Sequence, residues 1–287
     1  MKQPLFTGVC TALVTPFLDG KVNFPMLEIL LRRQMDYSIP AVVICGTTGE
    51  SATLQDEEKL ELFYRAKQIC GKDMIVIAGT GSNDTKHAVT LSIEAEKTGV
   101  DGLLVVTPYY NKTNPEGIVK HYQAISDAVN LPIIVYNVPS RTGMDLSAET
   151  YRALERISNV AGIKEANTSI QKIGAIKAKC NLPIWSGNDD MTVPAIALGG
   201  KGVISVLSNV LPLETQLMTQ SALSGNFETA STLHQKLLPV MDALFCDVNP
   251  IPVKAAMKLL GYDCGNCRLP LTKLSDEKLA IVKSVLE

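Results

Sequence analysis

Eight short apolar runs recur along the chain, and each gap between them is long enough for a helix. The runs are VCTALVT (9–15), AVVICG (41–46), MIVIAGT (74–80), GLLVVTP (102–108), PIIVYNVP (132–139), VAGIKEA (160–166), PIWSGND (183–189) and GVISVLSN (202–209). They are rich in β-branched residues and do not alternate with polar ones, as expected of parallel strands covered on both faces. Parallel neighbours need a crossover, usually a helix. The intervening segments have helical periodicity: over 54–69, Leu60, Phe63, Tyr64 and Ile69 share one side, with charged residues on the other. Thr53, with Asp56 three residues on, reads as the cap of that helix, and Asn83, Asn114 and Ser147 read as openings of later ones. Gly99 and Gly199 fall where helices should stop. Strands and helices alternating eight times predict the α/β class and a closed (β/α)8 TIM barrel. An open doubly wound sheet fits less well, because no G-x-G-x-x-G opens a helix after the first run.

The repeating units end near Ser224. Residues 1–224 are therefore expected to form the barrel and 225–287 a C-terminal helical extension packed on it. Leu233, Leu237, Leu238, Met241, Leu244 and Phe245 are its apolar positions, and no Pro/Gly/Ser-rich linker precedes it. The length of 287 residues suits one such barrel with an addition, and 46% apolar against 20% charged residues suits a large core. A net charge of −2 disfavours nucleic acid or an anionic membrane as a partner. No apolar run approaches the ~20 residues of a membrane span, and the first residues lack the apolar core of a signal peptide. Seven scattered cysteines suit a reducing cytosol, so a cytoplasmic location is expected.

Polar residues collect at the C-terminal ends of the runs: Thr15, then Thr47, Thr48 and Glu50, then Thr80, Tyr109 and Tyr110, Tyr136 and Asn137, Lys164 and Glu165, and Ser186 to Asp189. In barrels of this kind the active site lies at that face. Lys164 closes the sixth run, where a charge is costly. It reads either as a structural lysine paired with an acid or as a nucleophile. Desolvation disfavours an ammonium, and a neutral amine can attack a ketone to form a Schiff base. The iminium then draws electrons from the adjacent carbon, which loses a proton and becomes an enamine. That is class I aldolase chemistry and requires no metal or other cofactor. Tyr136, ending the neighbouring run, reads either as packing with a wet hydroxyl or as the group that moves protons at such a site. The Gly-flanked turn with Thr47 and Thr48 suits a small carboxylate.

Metal chemistry has little support. His87, His121 and His234 form no H-x-x-x-H pair and are read as surface residues of helices. Cys264 and Cys267 form a C-x-x-C without a second ligand pair and are read as a chance spacing or a surface thiol pair. Cys10 and Cys45 are expected in the core.

Taken together, GTTGESATL (46–54), VTPYYNK (106–112), YNVPSRTG (136–143), GIKEA (162–166), SGND (186–189), GGKGVISV (199–206) and NPIPVK (249–254) resemble the dihydrodipicolinate synthase family, within the N-acetylneuraminate lyase/class I aldolase superfamily. The resemblance runs from about Gly8 to the end of the chain. It implies condensation of pyruvate with L-aspartate β-semialdehyde to 4-hydroxy-tetrahydrodipicolinate, a step of lysine and diaminopimelate biosynthesis. Lys164 would carry the Schiff base and Tyr136 would be the acid/base group above it. Thr47 would link Tyr136 to Tyr110, which would reach in from a neighbouring subunit. Thr48, Gly187 and the backbone at Ile204 would line the pyruvate pocket. Arg141 would hold the carboxylate of the semialdehyde, a task suited to a planar bidentate donor. The implied assembly is a homotetramer built as a dimer of dimers, or a homodimer.

Arg141 separates close alternatives. N-acetylneuraminate lyases and keto-deoxy sugar-acid aldolases share the lysine and tyrosine but act on neutral, hydroxyl-rich aldehydes. Their equivalent loop usually lacks the arginine of PSRTG. A non-catalytic keto-acid-binding barrel and a pyridoxal-phosphate barrel are the more distant readings. Lysine-inhibited members of the family bind their effector near positions matching Ser51, Ala52, Asn83 and Tyr109. Histidines are typical at the positions of Asp56 and Lys59, and a glutamate at that of His87. These departures imply weak inhibition by lysine, or none.

Overall fold

Each of the eight apolar runs contributes one barrel strand in the computed structural model, which describes residues 2–287. The barrel strands are β1 (Gly8–Ala12), β4 (Ala41–Ile44), β5 (Ile75–Gly79), β6 (Gly102–Val106), β7 (Ile133–Asn137), β8 (Val160–Glu165), β9 (Ile184–Ser186) and β10 (Gly202–Ser205). They close in the order β1-β10-β9-β8-β7-β6-β5-β4, all parallel, with β1 returning to β4. The sequence did not announce the small antiparallel pair β2 (Phe17–Leu18) and β3 (Lys21–Val22).

Between the strands run α1 (Phe24–Asp36), α2 (Asp56–Cys70), α3 (Thr85–Lys97), α4 (Pro115–Ala128), α5 (Pro139–Thr142), α6 (Ala148–Leu154), α7 (Ile170–Lys177) and α8 (Thr192–Ala197). After β10 come α9 (Pro212–Leu223), α10 (Phe227–Ala243), α11 (Ile251–Leu259) and α12 (Asp276–Leu286). Asn114 and Ser147 cap α4 and α6 by accepting from Gly117 N and Thr150 N. Two expected starts shift. Helix α2 opens at Gln55, whose side chain and that of Glu58 form a reciprocal capping box, while Thr53 belongs to a short 3-10 turn. Helix α3 is capped by Asp84 rather than Asn83. Gly99 and Gly199 follow the ends of α3 and α8 as expected, both with positive φ.

Side chains alternate along the strands, and this alternation builds two apolar layers. Cys10, Ala12, Ala41, Val43, Ile77 and Ile134 fill the barrel interior with Trp185. Val42, Ile44, Val76, Leu103, Val105 and Ile163 pack outward against the helices. The interior is floored by Phe6 stacked on Trp185, with centroids 4.6 Å apart. Trp185 lies beside Lys164 in the strand register. Gly162, on the same face two residues earlier, leaves room for the indole: a Cβ there would lie 2.4 Å from Trp185 Cζ3. An apolar plate thus closes the barrel beneath the lysine. On the same side of the molecule, Lys2 Nζ donates to the carbonyls of Ile157, Ser158 and Val160, anchoring the N-terminal segment where β8 begins.

The C-terminal helices reach the barrel mouth. Lys254 of α11 donates to Glu50 Oε1 at 2.6 Å, and the two side chains are 3% and 1% exposed. The backbone N–H of Arg268 donates to the other oxygen of Glu50. The Arg268 guanidinium takes Glu58 through both Nη atoms and sits 4.4 Å from the Phe17 ring centroid. No helix among the described residues is long and apolar enough to cross a membrane.

Candidate active site

Strands β7 and β8 present Tyr136 and Lys164 as register partners on the inner face. Both residues are 6% exposed, and Lys164 Nζ lies 4.2 Å from the centroid of the Tyr136 ring. The phenol ring and the amine therefore share one small volume above the Phe6–Trp185 plate. No acidic side chain forms an ion pair with Lys164 among the described residues, so the structural reading of a paired lysine does not apply. Glu165, next in the chain, faces away into a closed network. It accepts from Tyr151 Oη, Asn137 Nδ2 and the backbone N–H of Asn167. Burial raises the Glu165 pKa against those hydrogen bonds, and the network fixes the strand end that carries Lys164.

A cavity of about 760 Å³ opens over the barrel mouth, lined by Thr47, Tyr136, Val138, Arg141 and Asn249 among others. Lys164 is not part of this lining, and Tyr136 is the link between the cavity and the amine. The Thr47–Thr48 turn is rigid: Gly49 N donates to Gly46 O, Glu50 N to Thr47 O, and Thr15 Oγ1 to Gly49 O. Cys45 and Glu50, which flank it, both have φ 57°. Left-handed backbone at non-glycine residues costs about 1–3 kcal/mol each, and here the fixed turn and the buried Glu50–Lys254 pair hold it. Thr48 Oγ1 accepts from Asn249 Nδ2 at 3.0 Å. Arg141 lies on the exposed side of the short helix α5, and its Nη2 donates to Asn249 O at 3.1 Å.

Across the barrel, Gly187 N donates to Glu165 O, and Ile204 is buried inside. Asp189 pins the turn after β10. Its carboxylate accepts from Ser205 Oγ and from the N–H groups of Val206 and Leu207. Burial raises the Asp189 pKa, and those three donors oppose the rise. Of the expected site residues, Thr47, Tyr136 and Arg141 line the cavity, whereas Thr48, Lys164, Gly187 and Ile204 lie outside its lining and Tyr110 points to solvent. Tyr110 is 91% exposed, has φ 67°, and does not line the cavity of its own chain.

The outer cavity wall carries a charge cluster. Lys59 Nζ donates to Asp56 Oδ1 at 3.0 Å, and His87 Nε2 lies 2.7 Å from Asp56 Oδ2. Burial tends to raise the Asp56 pKa, but hydrogen bonds from His87 and Lys59 outweigh it and bring it below the usual carboxylate range. No group of three or more metal-ligating side chains occurs among the described residues.

Two sequence readings need correction. His121 is a core residue of α4 rather than a surface one, with Nδ1 2.9 Å from Thr85 Oγ1 and Nε2 buried without a partner. Cys264 is fully buried and Cys267 half-buried, so they are no surface thiol pair, and burial pushes both thiols up to about 12. Sequence reasoning also missed Asn249 and the Glu50–Lys254 pair as parts of the mouth. The signal available was NPIPVK itself, a polar and cationic motif in an otherwise helical extension.

Comparison with known proteins follows the geometry. Residues 5–287 match the family described as the dihydrodipicolinate synthetase family. A protein of Acetivibrio thermocellus named 4-hydroxy-tetrahydrodipicolinate synthase is 45% identical, over 100% of this chain and 98% of its own. A protein of the same name from Caldicellulosiruptor bescii is 48% identical, over 98% and 96%. The crystal structure of dihydrodipicolinate synthase from Thermotoga maritima superposes with a TM-score of 0.96 at 42% identity, covering 98% of both chains.

Proposed function

The chain belongs to the dihydrodipicolinate synthetase family, and we propose that it condenses pyruvate with L-aspartate β-semialdehyde to 4-hydroxy-tetrahydrodipicolinate through a Schiff base on Lys164. One observation carries the assignment of residues: Lys164 Nζ is 4.2 Å from the Tyr136 ring, inside a closed barrel and above an apolar floor. Lys164 Nζ adds to the ketone carbon of pyruvate. Tyr136 supplies the proton with which the carbinolamine oxygen leaves as water. Loss of a methyl proton gives the enamine, whose carbon attacks the aldehyde of the semialdehyde. The product's amine then closes onto the iminium carbon and displaces Lys164.

Thr48, Gly187 and the backbone at Ile204 form the pyruvate pocket in this reading, and Arg141 takes the carboxylate of the semialdehyde. Thr47 connects Tyr136 to a Tyr110 supplied by a second subunit, which accounts for a tyrosine so exposed in one chain. The active form is accordingly a homodimer or a homotetramer made of two such dimers. The division into a barrel (1–224) and an extension (225–287) belongs to the same proposal, with the extension contributing to the mouth. Lysine inhibits weakly or not at all, because Asp56 is already held by Lys59 and His87 and offers no free carboxylate to an effector's ammonium. Half-inhibition by submillimolar L-lysine would overturn that point.

The decisive assay offers pyruvate with either aspartate β-semialdehyde or N-acetylmannosamine, and in parallel traps the pyruvate adduct with borohydride. Turnover with the semialdehyde alone and a reduced adduct on Lys164 are expected. Turnover with the sugar alone would move the chain to the lyase branch. An unchanged protein mass after borohydride would remove the Schiff base altogether.

A further inference from the structure

Asn249 touches both halves of the mouth. Its side-chain Nδ2 donates to Thr48 Oγ1 at 3.0 Å, and its main-chain oxygen accepts from Arg141 Nη2 at 3.1 Å. It comes from the extension, about 200 residues away in sequence from Thr48, and is itself buried. Five residues later Lys254 grips Glu50, at the end of the same threonine turn. The segment 249–254 is thus fastened to the turn at two points.

The direction of the first bond matters. A threonine hydroxyl has one hydrogen to give. The Asn249 amide places Nδ2 against Thr48 Oγ1 and leaves Oδ1 buried without a partner; with Nδ2 as the donor, the Thr48 hydrogen is not consumed by Asn249 and stays available to an anion. A buried hydroxyl already oriented in this way needs no reorganisation when a carboxylate arrives. The second bond uses the backbone of Asn249, so it does not depend on the side chain.

We propose that Asn249 is a positioning residue, whose side chain orients Thr48 as a donor to the pyruvate carboxylate while its carbonyl independently steadies Arg141. This rests on the function proposed above and adds to it a residue of the extension with two separable tasks. Substitution of the side chain weakens the pyruvate site alone. The semialdehyde site keeps its carbonyl anchor.

The test is a cycle of Asn249→Ala, Thr48→Val and the double variant, read by the pyruvate concentration at half-maximal borohydride trapping and by KM for each substrate. Loss of one buried hydrogen bond corresponds to roughly a three- to tenfold rise in the pyruvate midpoint for Asn249→Ala. The semialdehyde KM should stay within about twofold, and the Asn249 effect should vanish in the Thr48→Val background. Asn249→Ser is carried alongside, in case the alanine variant folds poorly, and should shift the same way. Equal rises for both substrates, or the full Asn249 effect persisting without the Thr48 hydroxyl, would reduce Asn249 to a structural residue and overturn the proposal. No shift in either variant would do the same. Failure of the unaltered protein to trap pyruvate would instead defeat the proposed function.

Discussion

Replacing His121 by glutamine should remove a pH dependence of stability worth about 2 kcal/mol at pH 5. His121 is 3% exposed, packs edge-on against Tyr122, and has no partner at Nε2. Burial pushes its pKa down to about 4, with the charge of Asp84 opposing weakly. A histidine in the unfolded chain titrates near 6.5. Between those values the unfolded state takes up a proton that the folded state refuses. The stabilisation is therefore complete above pH 6.5, falls as pH drops, and is exhausted near pH 4. The whole gap is about 3.4 kcal/mol at ~1.4 kcal/mol per pKa unit, of which about 2 is spent by pH 5. Urea unfolding of both proteins at pH 7.5 and pH 5 measures it. Glutamine brings a fixed packing cost, and all other titrating groups are common to both chains, so only the change in their difference matters. A difference between wild type and His121→Gln that is the same at both pH values would refute the reasoning.

Three more outcomes follow from named contacts. Lys254→Met should destabilise by roughly 3–5 kcal/mol by leaving the Glu50 carboxylate buried without its cation. Lys254→Met with Glu50→Leu should recover much of that loss in thermal unfolding, and a double variant no better than the single would show that the pair's charge is not the cause. Gly162→Ala should drive a methyl into Trp185 and cost about 1–3 kcal/mol, with a fall in kcat from a shifted Lys164; an unchanged Tm and kcat would show that the floor is soft. Arg141→Ala should raise the semialdehyde KM at least tenfold while leaving borohydride trapping of pyruvate intact, and loss of trapping would place Arg141 at the wrong substrate.

The strands were legible because burial on both faces leaves an uninterrupted apolar run, and no other element of that length produces eight of them. Lys164 and Tyr136 were legible because each breaks such a run at its C-terminal end. Cap positions were less so: Asn83 and Asp84 are equally good caps by type for α3, and only the Gln55–Glu58 box, not Thr53, decides where α2 begins. His121 was misread although Ile118, Tyr122 and Ile125 place it on the buried stripe of α4. That stripe was visible, and the residue's polarity hid it. Asn249 and the Glu50–Lys254 pair join positions about 200 residues apart, and no periodicity encodes a contact of that span.

The seam of the barrel bears on how the chain is made. Strand β1 finds its second neighbour only in β10, with Gly8 opposite Gly202 so closely that a Cβ on Gly202 would lie 1.8 Å from Gly8 O. At roughly 5–20 residues per second of synthesis, β1 waits about 10 to 40 seconds for that partner, with one edge open throughout. An unpaired, largely apolar strand edge is a template for other chains. The interval before residue 205 emerges is therefore the period in which nascent copies on neighbouring ribosomes are most exposed to pairing with one another.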